Sequence, residues 1–434
     1  MNDIMQETNE IQQQELLKEI EGRRKEQAKS KRLYFMGGVI AGLLVALLIS
    51  CVVYLVHMKN SRDVSVLGAK ATQTDAAESA INALSLQKLG IIEDSINEYY
   101  LGEITKEDLE TGLYRGILEA TGDPYSEYYT PEELEELQES SSGIYYGIGA
   151  YIGLDPKTQY CKISGVIEGT PAEESGLMAE DLIVKVDGQD TFGMETTEVV
   201  KLVKGEENTD VVLTIARTGE KDYLEITVTR RRVEAPTVNY EMLDDGIAHI
   251  EIMQFEEVTG DQFEEKLAKA REDGMKSLVL DLRGNPGGTL QSVVEVARAL
   301  LPEGLIVYME DKKGKRVEYA CDGKNQLDVP LVVLINENSA SAAEILAGAI
   351  KDYEIGTLVG TTTFGKGIVQ KVFGITDGSG MKLTISHYYT PKGNDIHKVG
   401  VTPDEELELD VEKYVKDGSD NQLDRAIEIL SGEK

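Results

Sequence analysis

Apolar and polar positions follow four different rhythms along the chain, and each predicts a different kind of element. The first is an unbroken run: residues 33–56 (LYFMGGVIAGLLVALLISCVVYLV) carry no charge over 24 positions, and about 20 apolar residues suffice to cross a bilayer as a helix. A single transmembrane helix is expected there. The second rhythm is helical. Within 77–139, Leu84, Leu86, Leu89, Ile91, Ile92 and Ile96 recur largely at two- to four-residue steps, and Leu109, Leu113, Ile117 and Leu118 repeat mainly at four. Thr105 before Asp108 and Thr130 before Glu133 have capping-box spacing and should start the later helices of this region. The third occupies 140–232, where short β-type runs such as YYGIGAYIGL, YCKISGVI, DLIVKVDG and DVVLTIAR are broken by Gly and Asp. The fourth, over 233–405, alternates strand-like runs (GIAHIEIM, SLVLDLRG, PLVVLIN, GTLVG) with helical stretches at 260–273, 289–301 and 342–353, which predicts an α/β core with helix-covered strands. Residues 1–32 read as a charged tail, 57–76 as a linker and 406–434 as a C-terminal helical segment.

A chain of 434 residues exceeds what one core organises, in keeping with this division. Asp and Glu outnumber Lys and Arg by 78 to 44, the net charge is -34, and no basic stripe interrupts the folded part, which argues against nucleic acid as a partner. Basic residues decide the orientation of the apolar run. Arg23, Arg24, Lys25, Lys29, Lys31 and Arg32 precede it, whereas 57–70 hold only Lys59, Arg62 and Lys70, so the N-terminus is expected in the cytoplasm of a bacterium and the remainder outside its membrane. A cleaved signal peptide is the rival, but its apolar core is usually about 7–15 residues. Leu48-Ile49-Ser50-Cys51 resembles a lipobox, although 52–56 continue the apolar run where a lipoprotein would turn polar. Cys51, Cys161 and Cys321 lie far apart, as do His57, His249, His387 and His397, so no metal spacing or disulfide framework is legible.

Chemistry concentrates in three segments of the α/β region. In LVVLINENSASAAEILAGAI an apolar strand leads through a polar turn to a helix with small residues in its first turn. Ser341 there could be a nucleophile, its hydroxyl clear of the sheet and the free N–H groups of the helix start at hand for an oxyanion. Ser341-Ala-Ala-Glu344 also fits a capping box, and on this segment alone a cap is the simpler reading. Downstream, in GTTTFGKGIVQKVFG, Lys366 lies between two glycines whose close packing could desolvate it, as a lysine needs to serve as base. If a strand follows, Gln370 would share a face with Lys366. Gly360-Thr-Thr-Thr-Phe-Gly365-Lys366 matches a P-loop through its lysine, but Gly367 replaces the Ser or Thr that would meet magnesium, and the next residues read as a strand where a P-loop needs a helix. The third segment, SLVLDLRGNPGGTL, opens a strand into a glycine turn whose N–H groups at Gly287 and Gly288 could face an oxyanion.

Taken in order, DLRGNPGG, NSASAAEILAGAIKDY, TTTFGKGIVQ and TPKGNDIHKVGVTPD resemble the carboxyl-terminal processing proteases. DPYSEYYTPEELEEL and GIGAYIG through GTPAEESGLMAEDLIVKVDGQD resemble the segment before their PDZ domain and that domain itself, so the resemblance covers about 80–405. It implies an α/β protease core of ClpP/crotonase-like type with an inserted PDZ domain. It further implies Ser341 as nucleophile, Lys366 as general base, Gln370 as the residue that positions the lysine, and an oxyanion hole from Ala342 N–H with Gly287, favoured over Gly288. Tyr146, Gly147, Ile148 and Gly149 would form the loop that captures a peptide's terminal carboxylate while the next strand pairs with the peptide. The expected partners are polypeptides with apolar C-termini and the membrane; no cofactor or metal is expected, and a homodimer is left open. The sequence departs from the family at Ala343, where many members carry a second serine, and at Lys204 and Asn208, where they tend to have an Arg-Gly turn and a second glycine. A PDZ scaffold with an inert core is the rival reading; intact Ser341, Lys366 and Gln370 argue against it.

Overall fold

The computed structural model describes residues 80–432. The tail, the expected transmembrane helix with Cys51, the whole of the linker and 77–79 lie outside the described residues. Among those described, no helix is long and apolar enough to cross a membrane.

The described residues fall into two compact units. One comprises 80–106, 155–159 and 217–223. Its helix α1 (Ala83–Tyr99) starts at Asn82, whose side chain accepts the N–H groups of Leu84 and Ser85. None of its side chains is buried; Leu84, Leu86, Ile91 and Ile92 are exposed.

The second unit holds everything that bears on the chemistry. It opens with α2 (Lys106–Glu119), β1 (Glu127–Tyr129) and α3 (Pro131–Ser142). Thr130 starts α3 as its spacing predicts, exchanging hydrogen bonds with Glu133, and Gly143 ends it in the left-handed conformation that favours glycine. A mainly-β module follows: β2 (Ile144–Gly147), β3 (Ala150–Leu154), β4 (Cys161–Val166), α4 (Pro171–Glu174), β5 (Leu182–Val186), β6 (Gln189–Asp190), α5 (Thr196–Val203), β7 (Asp210–Ala216), β8 (Leu224–Thr229) and β9 (Arg231–Glu234). Its sheet runs β3-β4-β5-β7-β8, with β3 at an edge, and the β2–β9 ribbon joins entry to exit. Ile163, Ile183, Leu213, Ile215 and Val199 are fully buried in its own core.

The α/β part continues with β10 (Val238–Met242), β11 (Ile247–Ile252), α6 (Thr259–Glu272), β12 (Ser277–Asp281), α7 (Leu290–Arg298), β13 (Gly304–Asp311), β14 (Arg316–Cys321), β15 (Leu331–Ile335), α8 (Ala342–Tyr353), β16 (Thr357–Gly360), β17 (Ile368–Gly374), β18 (Gly380–Tyr389), β19 (Glu405–Glu406), α9 (Val411–Asp417) and α10 (Asn421–Ser431). Its main sheet is ordered β10-β11-β12-β15-β16-β19 and is parallel from β11 onward. Every residue of β12 and β15 is buried, as continuous apolar runs require when both faces are covered. Phe263, Val293 and Leu346 from α6, α7 and α8 fill one face. On the other, α10 packs Ala426 against Val279, Val332 and Val359. The C-terminal helical segment is thus a layer of the core. A second sheet, β1-β18-β13-β14 with β17 paired to β18, is absent from the sequence reading apart from the strand after Lys366. It carries that strand beside β18 and draws β1 in from ahead of the β module.

Candidate active site

Ser341 sits between the end of β15 and the first turn of α8, on a turn laced to the loop after β12. The Ser339 hydroxyl donates to Leu282 O at 2.7 Å, Gly284 N–H to Asn336 Oδ1 at 2.9 Å, and Ala340 N–H to Asn285 O at 2.9 Å. Those ties hold Ser341 at φ 53°, ψ -111°, a conformation that costs a side-chain-bearing residue about 1–3 kcal/mol and persists only where surroundings impose it. Tyr388, 1% exposed, adds a strut from β18: its hydroxyl donates to Ser341 O at 2.9 Å. Burial holds that phenol well above its ordinary pKa, so it remains a donor. Ser341 is only half-buried, and its side chain makes no capping hydrogen bond. The hydroxyl is therefore not spent as a helix cap.

Glu344 has a larger task than the capping box suggested. Its side chain is fully buried, and its two oxygens meet four donors. Oε2 accepts the N–H of Ser341 at 2.9 Å and of Lys366 at 2.8 Å; Oε1 accepts Gly365 N–H at 2.7 Å and the Thr363 hydroxyl at 2.6 Å. One carboxylate thereby binds the turn that carries the serine to the loop that carries the lysine. Carboxylates satisfied by several N–H donors are stable without a cationic partner.

The glycines beside Lys366 pack against backbone. A Cβ on Gly367 would fall 2.5 Å from His397 N, and one on Gly365, at φ 88°, would fall 3.0 Å from Val399 N. Lys366 Nζ lies 4.6 Å from the centroid of the Tyr125 ring, and no hydrogen bond joins it to Ser341 Oγ. Burial, with a further contribution from Lys382, holds this amine below the ordinary lysine value, against the pull of Asp123, Glu344 and Glu127. Gln370 Nε2 donates to Thr384 Oγ1 at 3.3 Å. The alternation expected to put Lys366 and Gln370 on one strand face does not describe their relation: β17 begins at Ile368, and its pairing shifts register between Val369 and Gln370. That strand also stands where a P-loop would need a helix.

Gly287 packs directly against the serine turn. At φ 99°, a Cβ there would lie 2.7 Å from Ser341 Cβ and 3.0 Å from Ala342 N, so only glycine fits. Its N–H donates to Asn285 Oδ1 at 2.8 Å. Gly288 packs on Phe255, whose carbonyl would sit 2.0 Å from an added Cβ. Of the four expected loop residues, Tyr146, which is exposed, and Gly147 end β2, paired with Arg232 and Arg231, and only Ile148 and Gly149 lie between β2 and edge strand β3: Ile148 O accepts Ala172 N–H at 2.7 Å and Gly149 O accepts the Thr170 hydroxyl at 3.1 Å.

Ser341, Ala342, Gly287 and the Lys366 loop thus share one locus, and the β-module residues share another. Sequence reasoning missed Tyr125 and Tyr388 and took Glu344 for a cap. Only Glu344 left a signal, its spacing from Ser341; Tyr125, in the turn before β1, and Tyr388, in β18, reach the site through strand pairing that no local pattern announces.

Comparison with known proteins places the two main regions in families. Residues 246–407 match the model of peptidase family S41, and 162–217 match the PDZ domain. A carboxyl-terminal-processing protease of Synechocystis sp. is 36% identical over 322 residues, which span 73% of this chain and 75% of that protein. A probable CtpA-like serine protease of Staphylococcus aureus is 33% identical over 388 residues, 88% of this chain and 74% of that one. The solved photosystem II D1 C-terminal processing protease aligns with 78% of this chain and 98% of its own at 29% identity and a TM-score of 0.44. The chain therefore belongs to the carboxyl-terminal processing proteases of peptidase family S41, serine peptidases that here carry a PDZ domain.

Proposed function

We propose that the chain is a membrane-anchored endopeptidase in which Ser341 and Lys366 act as nucleophile and general base on polypeptides delivered by their apolar C-termini. The observation that carries this reading is the Glu344 carboxylate, which accepts the N–H of both residues. Neutral Lys366 takes the Ser341 proton, the serine oxygen adds to the peptide carbonyl, and the lysine returns the proton to the leaving amine. Water then attacks the acyl-enzyme, giving a proton to Lys366 and its oxygen to the new carboxylate, and the ester bond breaks as Lys366 returns that proton to the Ser341 oxygen. Lys366 Nζ turns from the Tyr125 ring towards Ser341 for the first step, since such bonds tighten only in the substrate complex. Gln370 supports it with its amide oxygen, its Nε2 being held by Thr384. Ala342 N–H is the first oxyanion donor; Gly287 joins once substrate displaces its N–H from Asn285.

In the same reading, 140–232 is the PDZ domain and 233–405 the catalytic core. The parallel sheet with helices on both faces supports the ClpP/crotonase-like description. Residues 146–149 receive the terminal carboxylate beside edge strand β3, 33–56 anchor the chain with its N-terminus cytoplasmic, and a homodimer is compatible with this arrangement. The test uses the full chain and an unstructured polypeptide with an apolar C-terminus. Ser341→Ala and Lys366→Ala should each lower cleavage by at least about 10³-fold; wild-type rates in either variant overturn the mechanism. Release of the chain from membranes by alkaline carbonate would overturn the anchor.

A further inference from the structure

We propose that Tyr125 is a positioning residue for the general base: its ring, held over the Lys366 amine by the strap 123–129, walls that amine off from water. This rests on Lys366 being the base.

The strap reaches Lys366 from the far side of the β module, more than 230 residues earlier in the chain, and it is fixed by contacts of its own. Tyr125 N–H and the Ser126 hydroxyl donate to the two oxygens of Asp123 at 3.1 and 2.6 Å. Thr384 N–H donates to Ser126 Oγ at 3.2 Å, and Thr384 is the residue whose hydroxyl accepts from Gln370. Then β1 pairs with β18, setting Glu127 opposite Lys382, and their side chains form an ion pair at 2.9 Å. The segment is thus seated on the strand beside Lys366, with the half-buried Tyr125 ring 4.6 Å from Nζ.

An aromatic face acts on an amine in two opposed ways. It attracts the ammonium, by about 0.5–1 kcal/mol at exposed sites, and it displaces water, which disfavours the ammonium. The groups facing Lys366 are Lys382 from β18, Asp123 and Glu127 from the strap, and Glu344 from α8; three of the four are anionic, yet the amine is held below its ordinary value with burial as the largest cause. Burial thus outweighs the charges around this amine, and the Tyr125 ring, 4.6 Å from Nζ, covers it on the side of the strap.

The test compares kcat/KM against pH, from about 6 to 10, for the full-length wild type, Tyr125→Phe, Tyr125→Leu and Tyr125→Ala. Because the neutral amine is the active form, activity rises with pH along a limb set by Lys366. Phe should leave that limb in place, showing that the hydroxyl is not needed. Ala should move it upward by about one pH unit, a tenfold loss near neutrality that is recovered in alkali, with Leu between. A loss equal at every pH, or a limb shifted to acid, overturns the proposal, and Leu decides it if Ala does not fold. If Lys366→Ala retains wild-type activity, the base assignment has failed; if that variant is inactive and the limb ignores Tyr125, only this inference has.

Discussion

Two buried carboxylates stand on opposite sides of the main sheet, and they are satisfied in contrasting ways. Glu344, on the active-site side, takes three N–H groups and a hydroxyl, all neutral. Asp281, 4% exposed at the end of β12, takes charge: Arg283 Nε lies 3.0 Å from both of its oxygens, and His249 Nε2 lies 3.5 Å from Oδ2. Arg283 also binds Asp420 at 2.8 Å and Gln422 at 2.9 Å, at the start of α10. Burial alone would push the Asp281 carboxyl up, but the adjacent His249 imidazole and Arg283 guanidinium bring it below the usual range. Neutral donors at fixed backbone positions give Glu344 directional control of two loops. Formal charges give Asp281 holding strength over a helix distant in sequence.

Glu344→Gln should produce the largest effect. The amide turns one oxygen into an NH₂ group that faces N–H donors: at the Oε2 position both the Ser341 and the Lys366 N–H lose their acceptor, at Oε1 the Gly365 N–H does. Displacements near 1 Å cost about 10²-fold and lost electrostatic contacts a similar factor, so kcat/KM should fall about 10³-fold while far-UV circular dichroism stays native. Activity within tenfold of wild type would mean that the two loops are positioned without this carboxylate.

Asp281→Asn probes the other side. Removing the charge leaves Arg283 with Asp420 as its charged partner and Gln422 as a neutral one, and stripping one partner from such a pair costs about 3 kcal/mol. Urea denaturation should report that loss, and hydrogen exchange should show α10 opening before the sheet. Unchanged protection over 421–431 would assign the anchoring of α10 to its apolar contacts.

What the sequence made legible follows the same divide. The run LVVLI, the turn and the small-residue helix start placed Ser341, and α8 begins and ends where its periodicity says. The glycines around Lys366 foretold close packing, though not that the backbone they meet is that of His397 and Val399. Asp281, Arg283 and Asp420, by contrast, are ordinary charged residues until the chain folds; nothing local says that Asp420 closes on Arg283, so 406–434 read only as a helical segment with no stated place in the core. The same limit hid Tyr125 and Tyr388. Contacts set by nonlocal strand pairing leave no periodic trace, whereas turns and helix starts do.

The smallest expected effect is the sharpest check on the charged side. Burial pulls the His249 imidazole down, but Asp281 and Glu241 raise it above its ordinary value of 6.5; Glu241 Oε1 lies 2.9 Å from Nδ1. A raised folded pKa stabilises fully below the unfolded value and loses that contribution as pH climbs through the folded one. Asp281 behaves oppositely, its contribution being present above the ordinary carboxylate range and lost as pH falls through its depressed value. Stability from the cluster should thus be greatest between these limits and decline on the alkaline side through His249 alone. Because Glu241 is exposed, the decline should be under about 1 kcal/mol. His249→Gln should flatten the fall in urea midpoint between about pH 6 and 8. An identical slope in wild type and variant would show that the imidazole is a bystander and that Arg283 alone compensates Asp281.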